Sequence, residues 1–89
     1  MDGQTGMKIN VKLFAIVRDR AGISALKLDL PAGSTVEDVA TETARQFPAI
    51  SQFLQRAAFA VNHNYVSRAT RLEEQDEVAI IPPVSGGVS

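Results

Sequence analysis

The residues best suited to chemistry lie near the carboxyl end, in the run Pro82-Pro83-Val84-Ser85-Gly86-Gly87. Glycine has no Cβ, so a glycine pair can be threaded into a narrow channel without a side-chain clash. The two prolines hold φ at about −65° and donate no hydrogen bond, so they stop a strand and project the following chain outward. The run therefore predicts a tail that can enter the active site of another protein and present the Gly87 carboxylate there.

Two further residues, Val88 and Ser89, follow the glycine pair. While they are attached, the Gly87 carbonyl belongs to a peptide amide and offers no carboxylate. Three interpretations are open: a peptidase removes the two residues, they are an artefact added to the natural chain, or the chain has lost this chemistry. We favour removal by a peptidase.

The rest of the chain lacks the residue combinations of an independent enzyme. There is no cysteine, which excludes thiolate nucleophiles, disulfides and cysteine-based metal sites. His63 is the single histidine and stands between two asparagines, which favours a surface turn over a metal ligand or general base. No nucleophile–base pair, phosphate loop or metal motif is present in the sequence. We expect no bound cofactor, no metal and no catalytic side chain.

Composition and length indicate one ordinary globular domain. The chain has 89 residues, of which 45% are hydrophobic, and a net charge of −1. A nucleic-acid partner is not expected, because phosphate binding needs a basic surplus. No apolar run approaches the roughly 18 residues of a membrane span, so we expect a cytoplasmic protein with no membrane partner. We predict a disordered leader over residues 1–7, a domain over 8–83 and a flexible tail over 84–89.

Hydrophobic periodicity predicts an α+β domain in which strands and a helix hold the tail in place. The pattern is a mixed sheet of about five strands, with one main helix across it and a short second helix. The main helix starts at Ser34 or Thr35, since both have an acidic residue three positions on, and ends before Pro48. The helix supplies the crossover that a parallel pairing of first and last strands requires. Strands are predicted over residues 8–17, 26–30, 58–61, 65–66 and 77–81, a polar loop over 18–22 and the short helix over 50–54.

Apolar residues on the wrong face of the predicted strands point to a candidate docking surface. Phe14, Ile16 and Ile81 break the alternation close to the tail, so they either belong to the core or form an exposed patch for partners. Arg18 is either a loop charge or a partner contact. The acidic run that ends at Glu77 is interpreted as a solvated turn, with steering toward a basic partner groove as the alternative.

Four segments of the chain together resemble the small, sulfur-carrying subunit of molybdopterin synthase. The resemblance runs from about Met7 to Gly87, and its most specific parts are PPVSGG directly after an apolar strand and the pattern LFA..R...G, which begins at Leu13. It implies a β-grasp, ubiquitin-like fold and a partner surface that includes Phe14, Arg18 and Ile81. The segments are VKLFAIVRDRAG, LPAGSTVEDV, AFAVNHNYV and DEVAIIPPVSGG.

The resemblance also implies a carrier whose chemistry is performed by partners. In this family a ubiquitin-activating-type enzyme uses ATP to adenylate the C-terminal glycine carboxylate, here Gly87. A sulfur donor then displaces AMP and leaves a thiocarboxylate. The large synthase subunit takes up the tail, and the sulfur passes to a pterin precursor of the molybdenum cofactor.

Three other functions stay open at this point. The chain could carry sulfur for thiamine or cysteine synthesis, since the recipient is chosen by the partner enzyme. It could be a ubiquitin-like modifier joined through Gly87 to lysines of other proteins. It could also be a plain interaction domain, because one scaffold hosts many functions.

Overall fold

A computed structural model describes residues 6–83. Residues 1–5 and 84–89 lie outside the described part, and with them most of the predicted leader and the whole predicted tail. The described chain forms five strands, three α-helices and one 3-10 turn (Pro48–Ile50). In chain order the elements are β1 (Gly6–Leu13), α1 (Ala15–Ala21), β2 (Ala25–Pro31), α2 (Val36–Gln46), α3 (Ser51–Leu54), β3 (Ala58–Val61), β4 (Asn64–Val66) and β5 (Glu77–Ile81).

The strands form one mixed sheet in the order β2-β1-β5-β3-β4. β1 and β5 run parallel, with Val11 opposite Val78 and Leu13 opposite Ile80, and the other neighbours are antiparallel. This confirms the predicted five-stranded mixed sheet and the parallel pairing of its first and last strands. The strand that leads into the tail therefore occupies the centre of the sheet.

One face of the sheet is buried because apolar residues alternate along the strands. Together with the apolar stripe of α2 they form a single core. Thr35 caps α2: its hydroxyl accepts from the Asp38 N–H at 3.3 Å, while the Asp38 carboxylate accepts from the Thr35 N–H at 2.8 Å. This capping box decides between the two predicted helix starts. Fully buried core residues include Ile9, Val11, Val17, Val36, Val39, Ile50, Val78 and Ile80.

The predicted extension of the first strand to residue 17 is wrong, as is the polar loop over residues 18–22. The strand ends at Leu13, and α1 occupies residues 15–21, so three helices are present where two were predicted. Ala15 has φ of +53°, which turns the chain away from the sheet, and Gly22 ends the helix at φ of +82°. The alternating apolar run was ambiguous because a short apolar segment suits a strand or a helix equally well.

The predicted leader is wrong for its last two residues. Gly6 and Met7 belong to β1, where Met7 pairs with Leu30 of β2 and is only 6% exposed. Met7 continues the apolar alternation of Ile9 and Val11 by one step, so the strand begins two residues earlier than predicted.

Replacing Thr43 by valine is expected to stabilise the fold by about 1 kcal/mol. Thr43 is fully buried in α2, and its hydroxyl has no hydrogen-bond partner among residues 6–83. An unpaired buried hydroxyl costs about 1–3 kcal/mol, and valine keeps the shape while removing that cost. Urea unfolding monitored by circular dichroism measures the change. Thr41→Val, at an exposed position of the same helix, is the control with an expected change within about 0.5 kcal/mol; a destabilised Thr43→Val protein contradicts this account.

Candidate functional site

The predicted tail follows β5 in the sequence. The strand ends at Ile81, and Pro82 and Pro83 follow as irregular chain, half-buried and exposed respectively. Proline cannot donate to the sheet ladder, so the strand stops where the sequence predicted. The predicted site residues Val84, Ser85, Gly86 and Gly87 lie outside the described residues, and their assignment stays a prediction.

An exposed apolar patch lies beside the end of β5, on the face of the sheet opposite α2. We define the apolar patch as Phe14, Ala60, Tyr65, Ala79 and Ile81, which line a shallow concavity of about 270 Å³. Phe14 is 43% exposed and Tyr65 is 73% exposed. They are the only large apolar side chains of the described chain that are exposed to solvent. Two large apolar side chains exposed beside one concavity indicate a surface for a protein partner.

The strand register assembles this patch from four separate parts of the chain. Ala79 of β5 pairs with Ala60 of β3, and Ala60 pairs with Tyr65 of β4. Small side chains at the two central positions leave the surface concave, and larger ones stand at its margins. The sequence pattern indicated Phe14 and Ile81 but missed Tyr65 and the alanines. Ala79 was a sequence signal for the patch, because it is an apolar residue at a strand position where alternation predicts a polar, solvent-facing one.

Phe14 reaches the patch because of the turn after β1. Its backbone is extended, with φ of −128° and ψ of 154°, and α1 begins at the next residue. The left-handed conformation of Ala15 directs the chain into the helix, so Val17 enters the core while Phe14 stays exposed. Of the two interpretations that the sequence left open for Phe14, core or exposed patch, the backbone geometry therefore selects the exposed patch.

Arg18 does not join the patch. It lies one turn into α1, and its guanidinium Nε is 3.6 Å from a carboxylate oxygen of Asp19. It lines a different shallow concavity together with Gly22, Ile23 and Ser24. The structure therefore brings Phe14 and Ile81 together and leaves Arg18 apart, and a partner contact at Arg18 stays a prediction.

His63 is an exposed turn residue, as expected. With Asn62 it occupies the turn between β3 and β4, both at positive φ, and its Nε2 is 3.8 Å from a Glu77 carboxylate oxygen. Within residues 6–83, no three His, Asp or Glu side chains are grouped so as to hold a metal ion. The imidazole therefore has one distant carboxylate neighbour and no ligand set around it.

The acidic turn before β5 is exposed, and its carboxylates also accept hydrogen bonds that hold the turn in place. The Asp76 carboxylate accepts from the Glu73 N–H at 2.8 Å and from the Asn62 amide at 3.0 Å. Glu74 accepts from the Lys8 N–H at 3.0 Å. These bonds fasten the turn to β1 and to the β3–β4 turn, which fixes the start of the strand that leads to the tail.

In the part of the chain that the structure covers, none of the helices has the length and apolar character needed to span a membrane.

The chain is similar in sequence and fold to several known proteins. Residues 11–87 match the ThiS family. The molybdopterin synthase sulfur carrier subunit of Arabidopsis thaliana is 35% identical over 86 residues, covering 97% of this chain and 90% of that protein. Among solved structures, the small archaeal modifier protein 1 (SAMP1) of Methanosarcina acetivorans superposes with a TM-score of 0.80 at 28% identity, covering 92% of this chain and 98% of that one.

A third similarity concerns the fold alone. A protein–protein complex of subunits 1 and 2 of the molybdopterin-converting factor from Helicobacter pylori contains a chain with a TM-score of 0.64 at 18% identity, covering 91% of this chain and all of that one. The predicted β-grasp, ubiquitin-like fold is confirmed by these neighbours and by the mixed sheet with its crossing helix.

Proposed function

The chain belongs to the ThiS family, and on that premise we propose that it is the sulfur carrier subunit of a molybdopterin synthase. The observation that carries the proposal is the apolar patch beside the end of the central strand β5, which the sequence follows with Pro82, Pro83 and the Gly86-Gly87 pair. A docking surface beside a tail without large side chains suits a carrier whose end reacts inside its partners. The absence of cysteine leaves the chain terminus as the place where sulfur can be held.

The proposed chemistry takes place at the Gly87 carboxylate. A carboxylate oxygen attacks the α-phosphorus of ATP on a ubiquitin-activating-type enzyme, and pyrophosphate leaves. A donor of hydrosulfide-level sulfur then attacks the acyl carbon, AMP leaves, and a thiocarboxylate remains. On the large synthase subunit the thiocarboxylate sulfur bonds to a carbon of the pterin precursor and an oxygen leaving group departs. Water then hydrolyses the thioester, which leaves the sulfur on the pterin and restores the Gly87 carboxylate. Dividing the transfer into activated covalent steps replaces one difficult step by easier ones.

Removal of Val88 and Ser89 by a peptidase must come first in this scheme. The peptide bond after Gly87 has no free carboxylate for adenylation, so the uncut chain cannot enter the cycle. Hydrolysis of that single bond supplies the carboxylate.

The apolar patch is the proposed contact with the large subunit. Its exposed Phe14 and half-buried Ile81 supply apolar area at the base of the tail, where docking brings Gly87 within reach of an enclosed site. The described chain has no catalytic constellation of its own, so the proposed role is that of a carrier subunit of a sulfurtransferase.

A ubiquitin-like modifier is the second candidate, favoured by the similarity to SAMP1. The same activated Gly87 carbonyl would then be attacked by a lysine amine, which gives an isopeptide in place of a thiocarboxylate. Sulfur carriage for thiamine or cysteine synthesis would use the same loaded terminus with another acceptor.

We expect the intact mass of the protein from its native host to show loss of Val88 and Ser89 and replacement of one terminal oxygen by sulfur. Treatment with a thiol-selective alkylating reagent should modify that terminus, since the chain has no cysteine to compete. The control is a Gly87→Val protein from the same host, in which the sulfur-dependent adduct should be missing. Isopeptide-linked ladders on other proteins would support the modifier instead, and an unaltered full-length mass would contradict both.

A further inference from the structure

A second shallow concavity adjoins the apolar patch on the same face of the sheet. It measures about 300 Å³ and lies over β1 and β2, with Lys12 and Lys27 in its lining. Glu77 lines both concavities, and the register places Lys12 beside Ala79 of the patch. The two concavities are therefore parts of one continuous surface with an apolar side and a basic side.

The two lysines carry charges that the described chain does not neutralise through ion pairs. Neither has a carboxylate partner within 4.0 Å among residues 6–83. Lys8, further along the same face, is different: its ammonium is 2.7 Å from Asp29, and this hydrogen bond and charge raise the pKa of Lys8. Glu77 lies where the two concavities meet, and its carboxylate is 3.8 Å from Nε2 of His63 on the side of the apolar patch.

The register also keeps the two charges close together. Lys12 pairs with Ala25 and Asn10 pairs with Lys27, so the lysines are diagonal neighbours on adjacent strands, about 7–8 Å apart at Cα. Like charges on neighbouring side chains repel each other, and an acidic partner offsets that repulsion. The whole chain has a net charge of −1, which makes the pair a local positive spot on a slightly acidic protein.

We propose that Lys12 and Lys27 are the basic rim of the docking surface and fit a large-subunit surface whose apolar centre is flanked by acidic side chains. An apolar patch alone fixes the contact but leaves rotation about it weakly determined. A charged rim on one side selects a single orientation and steers the encounter. Orientation matters because the tail leaves the patch at Ile81 and must point toward the partner's active site. This inference rests on the proposed function.

The test is the rate of association with the large subunit from the same organism, measured by biolayer interferometry. For Lys12→Glu/Lys27→Glu we expect an association rate about tenfold or more below wild type at about 50 mM salt. The difference should shrink to about twofold near 300 mM salt, because screening weakens the exposed charges. The matched control is Arg45→Glu/Arg56→Glu, which also reverses two exposed charges but lies outside both concavities, with an expected change below about twofold.

Each outcome separates this inference from the proposed function. Equal association rates for wild type and a folded double variant would overturn the role of the lysines and leave the carrier function intact. An equal loss in Arg45→Glu/Arg56→Glu would overturn it too, since net charge alone would explain the effect. Failure of wild type to bind the large subunit contradicts the proposed function itself. A dimer of the chain that is dissociated by the lysine variant would overturn the inference by assigning the surface to a second copy.

Discussion

Replacing Gly87 by valine is expected to lower sulfur loading at least about a hundredfold while leaving the melting temperature unchanged. A β-branched side chain adds bulk at the atom next to the reacting carbonyl, where a displacement of about 1 Å can cost that much in rate. The melting temperature should not respond, because the core is formed by residues between Met7 and Ile80.

The measurement uses chains ending at residue 87, so that adenylation does not depend on prior trimming. ATP–pyrophosphate exchange on the activating enzyme reports the first step, and intact mass reports the thiocarboxylate. Gly87→Ala is the graded variant, with an intermediate loss expected from its smaller side chain. A melting temperature lowered by several degrees would mean that the terminus packs against the domain, and undiminished loading would mean that Gly87 is not the acyl donor.

Neighbouring residues at the end of β5 are expected to separate binding from folding. Ile81 belongs to the apolar patch and Ile80, one position earlier, is fully buried in the core. Ile81→Asp places a charge in the docking surface, so we expect affinity for the large subunit to fall about a hundredfold, near 3 kcal/mol, with the fold retained.

Ile80→Ala is the counterpart, with an expected loss of about 2–5 kcal/mol in the free energy of unfolding. The folded fraction should bind the large subunit as wild type does. Urea unfolding and calorimetric titration measure the two quantities on the same samples. If Ile81→Asp binds normally, the apolar patch is not the docking surface; if Ile80→Ala is as stable as wild type, β5 is not the central core strand.

The sequence was sufficient wherever a signal was local and repeated. Alternating apolar residues identified β2, β3 and β5, and the three-and-four spacing with Thr35 and Asp38 identified α2. The parallel pairing of β1 with β5 could be inferred from the crossover that the helix provides. Each of these predictions depends on residues a few positions apart, or on a connection whose length can be read from the sequence.

The sequence was not sufficient at the junction after Leu13. Alternation continued through residue 17, and nothing in the residue types marks Ala15 as left-handed, because alanine rarely adopts that conformation. The turn at Ala15 accompanies the burial of Val17, whose side chain is fully enclosed in the core. A backbone conformation that depends on tertiary packing leaves no signal in the local sequence pattern.

Residue types alone predicted that transferable sulfur would be held at the Gly87 end of the chain, because a diglycine run follows two prolines and no cysteine is present. The tertiary structure decided which surface accompanies that end. Phe14, Ala60, Tyr65 and Ala79 are distant in sequence and meet only because β1, β3, β4 and β5 pair in one particular register. Register sets which side chains share a face, and it is fixed by the core as a whole, so the apolar patch exists only in the folded protein.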